Sequence, residues 1–106
     1  MADWTPVISS DELPLAKSTV VTLDETKVLL YRTAERIYAI ANRCTHQGAP
    51  LDRGVVKPGS DPSVTCPAHG SMFRLADGRV MRPPAGAPVA AFEARITDGM
   101  VELRSA

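Results

Sequence analysis

The chain has 106 residues, of which 12 are basic, 12 are acidic and 44% are hydrophobic. This length predicts a single domain, 1–106, with a modest core, and the balanced charge argues against nucleic acid or an anionic membrane as a partner. No apolar run approaches the roughly 20 residues of a membrane helix, and the first residues lack a secretory signal, so we expect a cytoplasmic protein.

Short elements are predicted along the first part of the chain. Residues 9–14 can hold one helical turn, which a proline would end. Residues 19–23 and 27–31 are rich in β-branched and apolar side chains, and the acidic turn between them predicts a hairpin. Residues 36–41 predict a third strand, with Ile37 and two alanines on one face.

The middle of the chain differs in composition, because seven of the nine prolines lie between residues 42 and 88. Two short strands are predicted there, at residues 64–66 and 71–75. Since the rest of this stretch predicts loops, we expect residues 42 to about 75 to form a small subdomain inserted in a β framework.

The last part of the chain predicts a β-hairpin. Residues 91–96 and 100–103 alternate between apolar and polar side chains, and Asp98-Gly99 between them is a turn signal. The chain as a whole therefore predicts an all-β fold, in which both ends build an antiparallel, sandwich- or barrel-like framework.

Both cysteines and both histidines of the chain lie in two short clusters. The first is Cys44-Thr45-His46, the second is Cys66-Pro67-Ala68-His69, and a glycine, Gly48 or Gly70, follows each. Thiolate and imidazole are good ligands of transition metals, and a lone cysteine pair in a reducing compartment is more often a ligand pair than a disulfide. These four side chains predict a metal site.

The residues alone leave more than one kind of site open. A mononuclear Cys2His2 zinc site uses the same ligands, but zinc fingers pair cysteine with cysteine and histidine with histidine at short spacing. A mixed pair on each of two loops fits better a cluster that is enclosed between the loops. The pattern favours an iron–sulfur cluster, with zinc, or ordinary thiols and imidazoles without a metal, as alternatives.

The stretches 44–51 and 66–73 resemble the two binding loops of Rieske iron–sulfur proteins, and the chain length and flanking strands resemble the small Rieske-type ferredoxins. The resemblance implies a Rieske-type fold and a [2Fe–2S] cluster with two cysteines on one iron and two histidines on the other. The implied ligands are Cys44 and Cys66 at the inner iron, and His46 and His69 at the outer, more exposed iron.

The resemblance also implies which residues surround the cluster. They are Gln47, Gly48, Ala68, Gly70, Ser71, Phe73 and Pro84. In high-potential members a serine and a tyrosine donate hydrogen bonds to sulfur; Ser71 and Phe73 stand at these positions here, and Ser71 either donates in this way or bonds the backbone as a loop serine. Because Phe73 cannot donate, we expect a reduction potential in the lower part of the roughly −150 to +300 mV Rieske span.

The function implied by the resemblance is electron transfer rather than catalysis. No histidine remains for the mononuclear iron of a ring-hydroxylating oxygenase, and no glycine-rich dinucleotide fingerprint is present. We expect a one-electron carrier between a reductase and a terminal oxygenase or related oxidoreductase. The alternatives are a small Rieske subunit of another reductase, such as nitrite reductase, and a zinc-stabilised interaction module.

Exposed histidine ligands predict that electrons leave the protein at the tip around His46 and His69. Three arginines, Arg43, Arg53 and Arg74, lie close to the loops in sequence. They are candidates for contacts with an acidic partner, although solvated side chains without such a role are the commoner case.

Overall fold

The fold is all-β. The computed structural model describes residues 3–105, which form ten β-strands and two short 3-10 helices. The strands are β1 (Thr5–Ser9), β2 (Ser18–Leu23), β3 (Thr26–Arg32), β4 (Ile37–Ala41), β5 (Val55–Lys57), β6 (Ser63–Thr65), β7 (Met72–Arg74), β8 (Val80–Arg82), β9 (Phe92–Thr97) and β10 (Met100–Ser105). The helices are η1 (Ser10–Glu12), at the predicted helical turn, and η2 (Leu51–Arg53). Within residues 3–105, no helix is long and apolar enough to cross a membrane.

The strands form three antiparallel sheets, which confirms the predicted fold class. The orders are β1-β10-β9, β2-β3-β4 and β5-β6-β7-β8. The first two sheets use both ends of the chain, and the third is built from the proline-rich middle and extends to Arg82. The division of one domain into a framework and a subdomain at residues 42 to about 75 stays a prediction.

Two tight turns set the register of the framework hairpins. Asp24 and Glu25 have φ angles of 47° and 69° between β2 and β3, and Asp98 and Gly99 have φ angles of 50° and 79° between β9 and β10. Two successive positive φ angles match the right-handed twist of a hairpin. The sequence located both turns from their acidic and glycine residues.

The central sheet is covered on both faces, so β3 and β4 contribute to two separate cores. On one face Leu29 and Ile40 pack with Cys44, Cys66 and the strands of the third sheet. On the other face Ile37 and Ala39 share a face, as predicted, and pack towards β10. The face of β4 that presents Ile40 is therefore buried as well, and the core on that side contains Cys44 and Cys66.

Three strands were absent from the sequence prediction: β1, β5 and β8. Each lies at the edge of its sheet, and β5 and β8 have only three residues. An edge strand has a partner on one side only, and Val55 of β5 is 72% exposed. Three residues are too few to show the alternating apolar pattern on which the prediction depends, and β1 contains Pro6, which argues against a strand in a sequence prediction.

Candidate metal centre

The first Cys/His pair lies on a tight loop between β4 and η2, residues 44–49, which we call loop 1. The Cys44 N–H donates to the carbonyl of Ala49 at 2.9 Å, and the Gly48 N–H donates to the carbonyl of Cys44 at 2.7 Å. Gly48 has a φ of 77°, a left-handed conformation that a glycine adopts without strain. The loop thus closes on the cysteine at its start.

The second pair lies on a loop with the same hydrogen-bond pattern, residues 66–71, which we call loop 2. The Cys66 N–H donates to the carbonyl of Ser71 at 2.7 Å, and the Gly70 N–H donates to the carbonyl of Cys66 at 3.1 Å. Gly70 has a φ of 80°. In both loops the bonded residues stand four and five positions after the cysteine, so the two backbones fold alike although the histidine is at the second position in one and at the third in the other.

The structure places the two cysteines in one buried core cluster and the two imidazole rings next to each other. Cys44 and Cys66 are 2% and 3% exposed, are free thiols and belong to one core cluster. His46 and His69 are exposed, and their ring centroids lie 5.1 Å apart with an angle of 84° between the ring planes. The cysteines therefore lie inward and the imidazoles outward.

This arrangement fits a binuclear cluster. A metal–nitrogen bond is about 2 Å long, so two imidazoles on one tetrahedral metal have ring centres about 5 Å apart. His46 and His69 already have this separation. Within residues 3–105, no three side chains of Cys, His, Asp or Glu surround a single point. A [2Fe–2S] cluster asks for two protein ligands at each of two iron atoms, which is what the inner cysteine pair and the outer histidine pair offer.

The residues expected around the cluster differ in their exposure to solvent. Gln47 and Ala68 are exposed beside the histidines, whereas Ser71 and Phe73 are both fully buried. Ser71 Oγ accepts a hydrogen bond from the Ala85 N–H at 3.0 Å. The serine thus bonds the backbone, and its own proton is left for a second acceptor.

A third segment, residues 83–90, joins the two loops. Pro84, which follows a cis peptide bond from Pro83, lies in it, and Ala85 reaches Ser71 at the end of loop 2. On the other side, Thr45 Oγ1 of loop 1 donates to the carbonyl of Ala87 at 2.6 Å. A cavity of about 530 Å³ remains between loop 1 and this segment. Pro84 was expected here from the sequence, whereas the hydroxyl of Thr45 was not, because its partner lies 42 residues away.

Asn42, a buried residue that the sequence did not indicate as part of the site, connects the two chain segments that flank loop 1. Asn42 Nδ2 donates to Asp52 Oδ1 at 2.8 Å, and the Asp52 N–H donates to Asn42 Oδ1 at 2.8 Å. These reciprocal bonds join Asn42, which lies two positions before loop 1, to the helix η2 that follows the loop. Asn42 is the single asparagine of the chain, but nothing local in the sequence indicates its partner.

Of the three arginines near the loops, Arg74 is engaged within the protein. Its Nε donates to Asp61 Oδ1 at 2.8 Å, and its Nη1 lies 3.5 Å from Asp77 Oδ2. The hydrogen bond that Arg74 donates to Asp61, together with the charges of both aspartates, raises the pKa of the Arg74 guanidinium above its usual value. Arg74 is therefore less suited to a partner than Arg43 or Arg53.

Comparison with known proteins places these features in a family. A family model described as "Rieske [2Fe-2S] domain" matches residues 3–93. The anthranilate 1,2-dioxygenase ferredoxin subunit of Burkholderia cepacia is 27% identical over 103 residues, which are 97% of this chain and 93% of that protein.

Two solved structures are similar over nearly the whole chain. The ferredoxin of carbazole 1,9a-dioxygenase from Nocardioides aromaticivorans IC177 has a TM-score of 0.87 and 27% identity, and the match covers 97% of this chain and 98% of that one. A putative NADH-dependent nitrite reductase small subunit from Mycobacterium tuberculosis has a TM-score of 0.84 and 27% identity, with 100% and 97% covered.

Proposed function

The chain belongs to the Rieske [2Fe–2S] domain family, and from this premise we propose that Cys44, Cys66, His46 and His69 hold its cluster. The observation that carries the assignment is the shared hydrogen-bond pattern of loops 1 and 2, each of which has a buried cysteine and an exposed imidazole, with the two imidazole rings adjacent. The surrounding residues Gln47, Gly48, Ala68, Gly70, Ser71, Phe73 and Pro84 are part of the same proposal.

The protein is an electron carrier in a multicomponent oxidoreductase system, and it is not itself the enzyme. A bound [2Fe–2S] cluster takes up and releases one electron. The buried side chains around Cys44 and Cys66 keep water from the inner part of the site, and the exposed rings of His46 and His69 bring the outer part to the surface. A partner can therefore approach the site closely without opening the protein.

The partners of this carrier are a reductase, which supplies the electron, and a terminal oxygenase or related oxidoreductase, which receives it. The similarity to ferredoxins of two dioxygenase systems supports an oxygenase. We propose that the protein works in the cytoplasm, because both cysteines are free thiols and a reducing compartment keeps thiols available as ligands.

A second candidate is a small subunit of another reductase, such as nitrite reductase. It is supported by the similar fold of the nitrite reductase small subunit over the full length of this chain. Co-purification separates the two: an oxygenase partner supports the first candidate, and a stable complex with a nitrite reductase catalytic subunit supports the second. The zinc-stabilised module is not supported, since the family is one of [2Fe–2S] proteins.

The test of the ligand set is electron paramagnetic resonance of the dithionite-reduced protein, purified without oxygen, with iron and sulfide assayed on the same sample. We expect two irons and two sulfides per chain and a rhombic signal whose average g value lies below that of all-cysteine clusters. Cys44→Ser and His69→Ser should abolish this signal, and Lys17→Gln, at an exposed lysine of the framework, should keep it. A colourless protein with stoichiometric zinc would refute the assignment.

A further inference from the structure

The chain is neutral overall, but its charges are segregated. Residues 42–88, which contain both loops and the third sheet, include six basic and three acidic side chains. The remaining residues include six basic and nine acidic side chains. The half of the protein that carries the candidate metal centre is therefore positive, and the framework is negative.

The three acidic residues of the positive half are already engaged. Asp61 and Asp77 both contact Arg74, at 2.8 and 3.5 Å. Asp52 accepts a hydrogen bond from the buried Asn42. Asp61 and Asp77 are therefore directed at Arg74 and not at the arginines beside the loops, whereas Asp52 keeps its charge because the Asn42 amide is neutral.

Three exposed arginines flank the two loops. Arg43 precedes loop 1, and its Nε lies 3.1 Å from the position that a Cβ on Gly48 would occupy. Arg53 ends η2, just after loop 1, and Arg82 pairs in register with Met72, the residue after loop 2. Within residues 3–105, none of these three arginines forms an ion pair, since the pairs there use Arg74, Arg95 and Arg104.

The arginines of the framework hairpin have a different role. Arg95 and Arg104 stack on the ring of Trp4, at 4.2 and 4.4 Å from its centroid, and pair with Glu102 and Glu93. The charges of these two arginines are balanced by glutamates of the same hairpin, whereas the arginines beside the loops remain available to another molecule.

A groove opens beside loop 1. It has a volume of about 850 Å³ and lies between the β2–β3 turn and the start of η2. Its charged lining residues are Lys27, Arg43, Arg53, Glu25 and Asp52. Because three cations face two carboxylates, the positive charge of the groove is only partly compensated.

We propose that Lys27, Arg43, Arg53 and Arg82, here named the basic rim, dock an acidic surface of the electron-transfer partner, with a partner carboxylate entering the groove beside loop 1. This inference rests on the proposed function and adds the chemistry of the partner. A charge-segregated protein turns in the field of an oppositely charged partner, so encounters occur with the positive half in front. The exposed imidazoles of His46 and His69 lie in that half.

The first experiment measures the local field with small oxidants of opposite charge. The reduced protein is mixed by stopped flow with hexacyanoferrate(III), a trianion, or with tris(phenanthroline)cobalt(III), a trication. Each oxidant takes one electron from the reduced protein and becomes hexacyanoferrate(II) or the cobalt(II) complex, so no bond forms or breaks in the protein.

The two oxidants should respond to salt in opposite directions. Raising salt from about 10 mM to about 300 mM shortens the Debye length from about 30 Å to below about 8 Å. The rate of oxidation by the trianion should then fall at least about threefold, while the rate of oxidation by the trication should rise. At low salt, Arg53→Glu and Arg82→Glu should each slow the trianion at least about threefold.

Lys17→Glu is the matched control, because it makes the same change of charge at the far end of the β2–β3 hairpin. In the register of that hairpin, Thr22 pairs with Lys27, so Lys17 lies about 17 Å along the strand from the basic rim. Equal effects of Lys17→Glu and Arg53→Glu, or a trianion rate that ignores salt, would overturn the proposal.

A second experiment detects binding without electron transfer. The ¹⁵N-labelled protein is titrated with poly-L-glutamate as an acidic polypeptide, and with poly-L-lysine as its basic counterpart. Poly-L-glutamate should shift the amide signals of Lys27, Arg53 and Arg82 but not that of Lys17, and Arg53→Glu should weaken its apparent affinity at least about threefold. Shifts confined to the framework, or none at low salt, would contradict the docking surface.

The two proposals fail in different ways. If the protein lacks the [2Fe–2S] resonance signal, the proposed function is refuted, and the poly-L-glutamate titration still tests the basic rim. A protein with that signal, whose oxidation is indifferent to the charge of the oxidant, defeats the docking proposal alone.

Discussion

Replacing Asn42 by alanine should loosen loop 1 from the helix that follows it. Asn42 is 8% exposed, and its amide makes two hydrogen bonds of 2.8 Å with Asp52, one to the carboxylate and one from the backbone N–H. Loop 1 lies between these two residues and contains Cys44 and His46. Asn42→Ala removes both bonds and leaves no side-chain group in their place.

The expected cost follows from the two bonds. A neutral hydrogen bond contributes about 0.5–1.5 kcal/mol, and one to a charged group about 1.5–3 kcal/mol. Because Asp52 is only partly buried, water can replace part of the second bond, so we expect Asn42→Ala to lower the free energy of unfolding by about 2–3 kcal/mol. For a chain of this size that corresponds to a decrease in Tm of about 10–20 °C.

The assay is the apparent Tm from circular dichroism of the metal-loaded protein at a constant scan rate, together with the half-life of its visible absorption. Asp52→Ala removes only the bond to the carboxylate, because its backbone N–H still reaches Asn42. It should therefore cost less than Asn42→Ala, and the double variant should resemble Asn42→Ala. A decrease in Tm below about 3 °C for Asn42→Ala, or additive effects of the two substitutions, would refute the reasoning.

Two further predictions concern the same site. Gly54→Ala should destabilise the protein by about 2–3 kcal/mol or more, because its Cβ would lie 1.8 Å from the backbone carbonyl oxygen of Thr65. Gly86→Ala is the control, since a Cβ there meets open space, and equal denaturation midpoints of the two variants would contradict the prediction. Ser71→Ala should lower the free energy of unfolding by about 1–3 kcal/mol, because it leaves the buried N–H of Ala85 without an acceptor, and an unchanged urea midpoint would count against that bond. A lower reduction potential of the same variant would show that the hydroxyl also donates to sulfur.

The sequence by itself determined the fold class, the two framework hairpins and the four candidate ligands. Strands β2, β3, β9 and β10 have alternating or β-branched residues joined by short acidic turns, and these signals are local. The Cys/His pairs are local as well, because each thiolate and its imidazole belong to one loop. For the same reason the family resemblance could be stated from stretches 44–51 and 66–73 alone.

Only the tertiary structure decided what lies around those loops. The Asn42–Asp52 pair spans ten residues, Ser71 meets the Ala85 N–H across 14, and Thr45 meets Ala87 across 42. Such contacts depend on how the sheets pack, and a hydroxyl or amide has no sequence signature for a distant partner. The same holds for the basic rim, because only the fold places Lys27 in one groove with Arg43 and Arg53 and pairs Arg82 with the residue after loop 2.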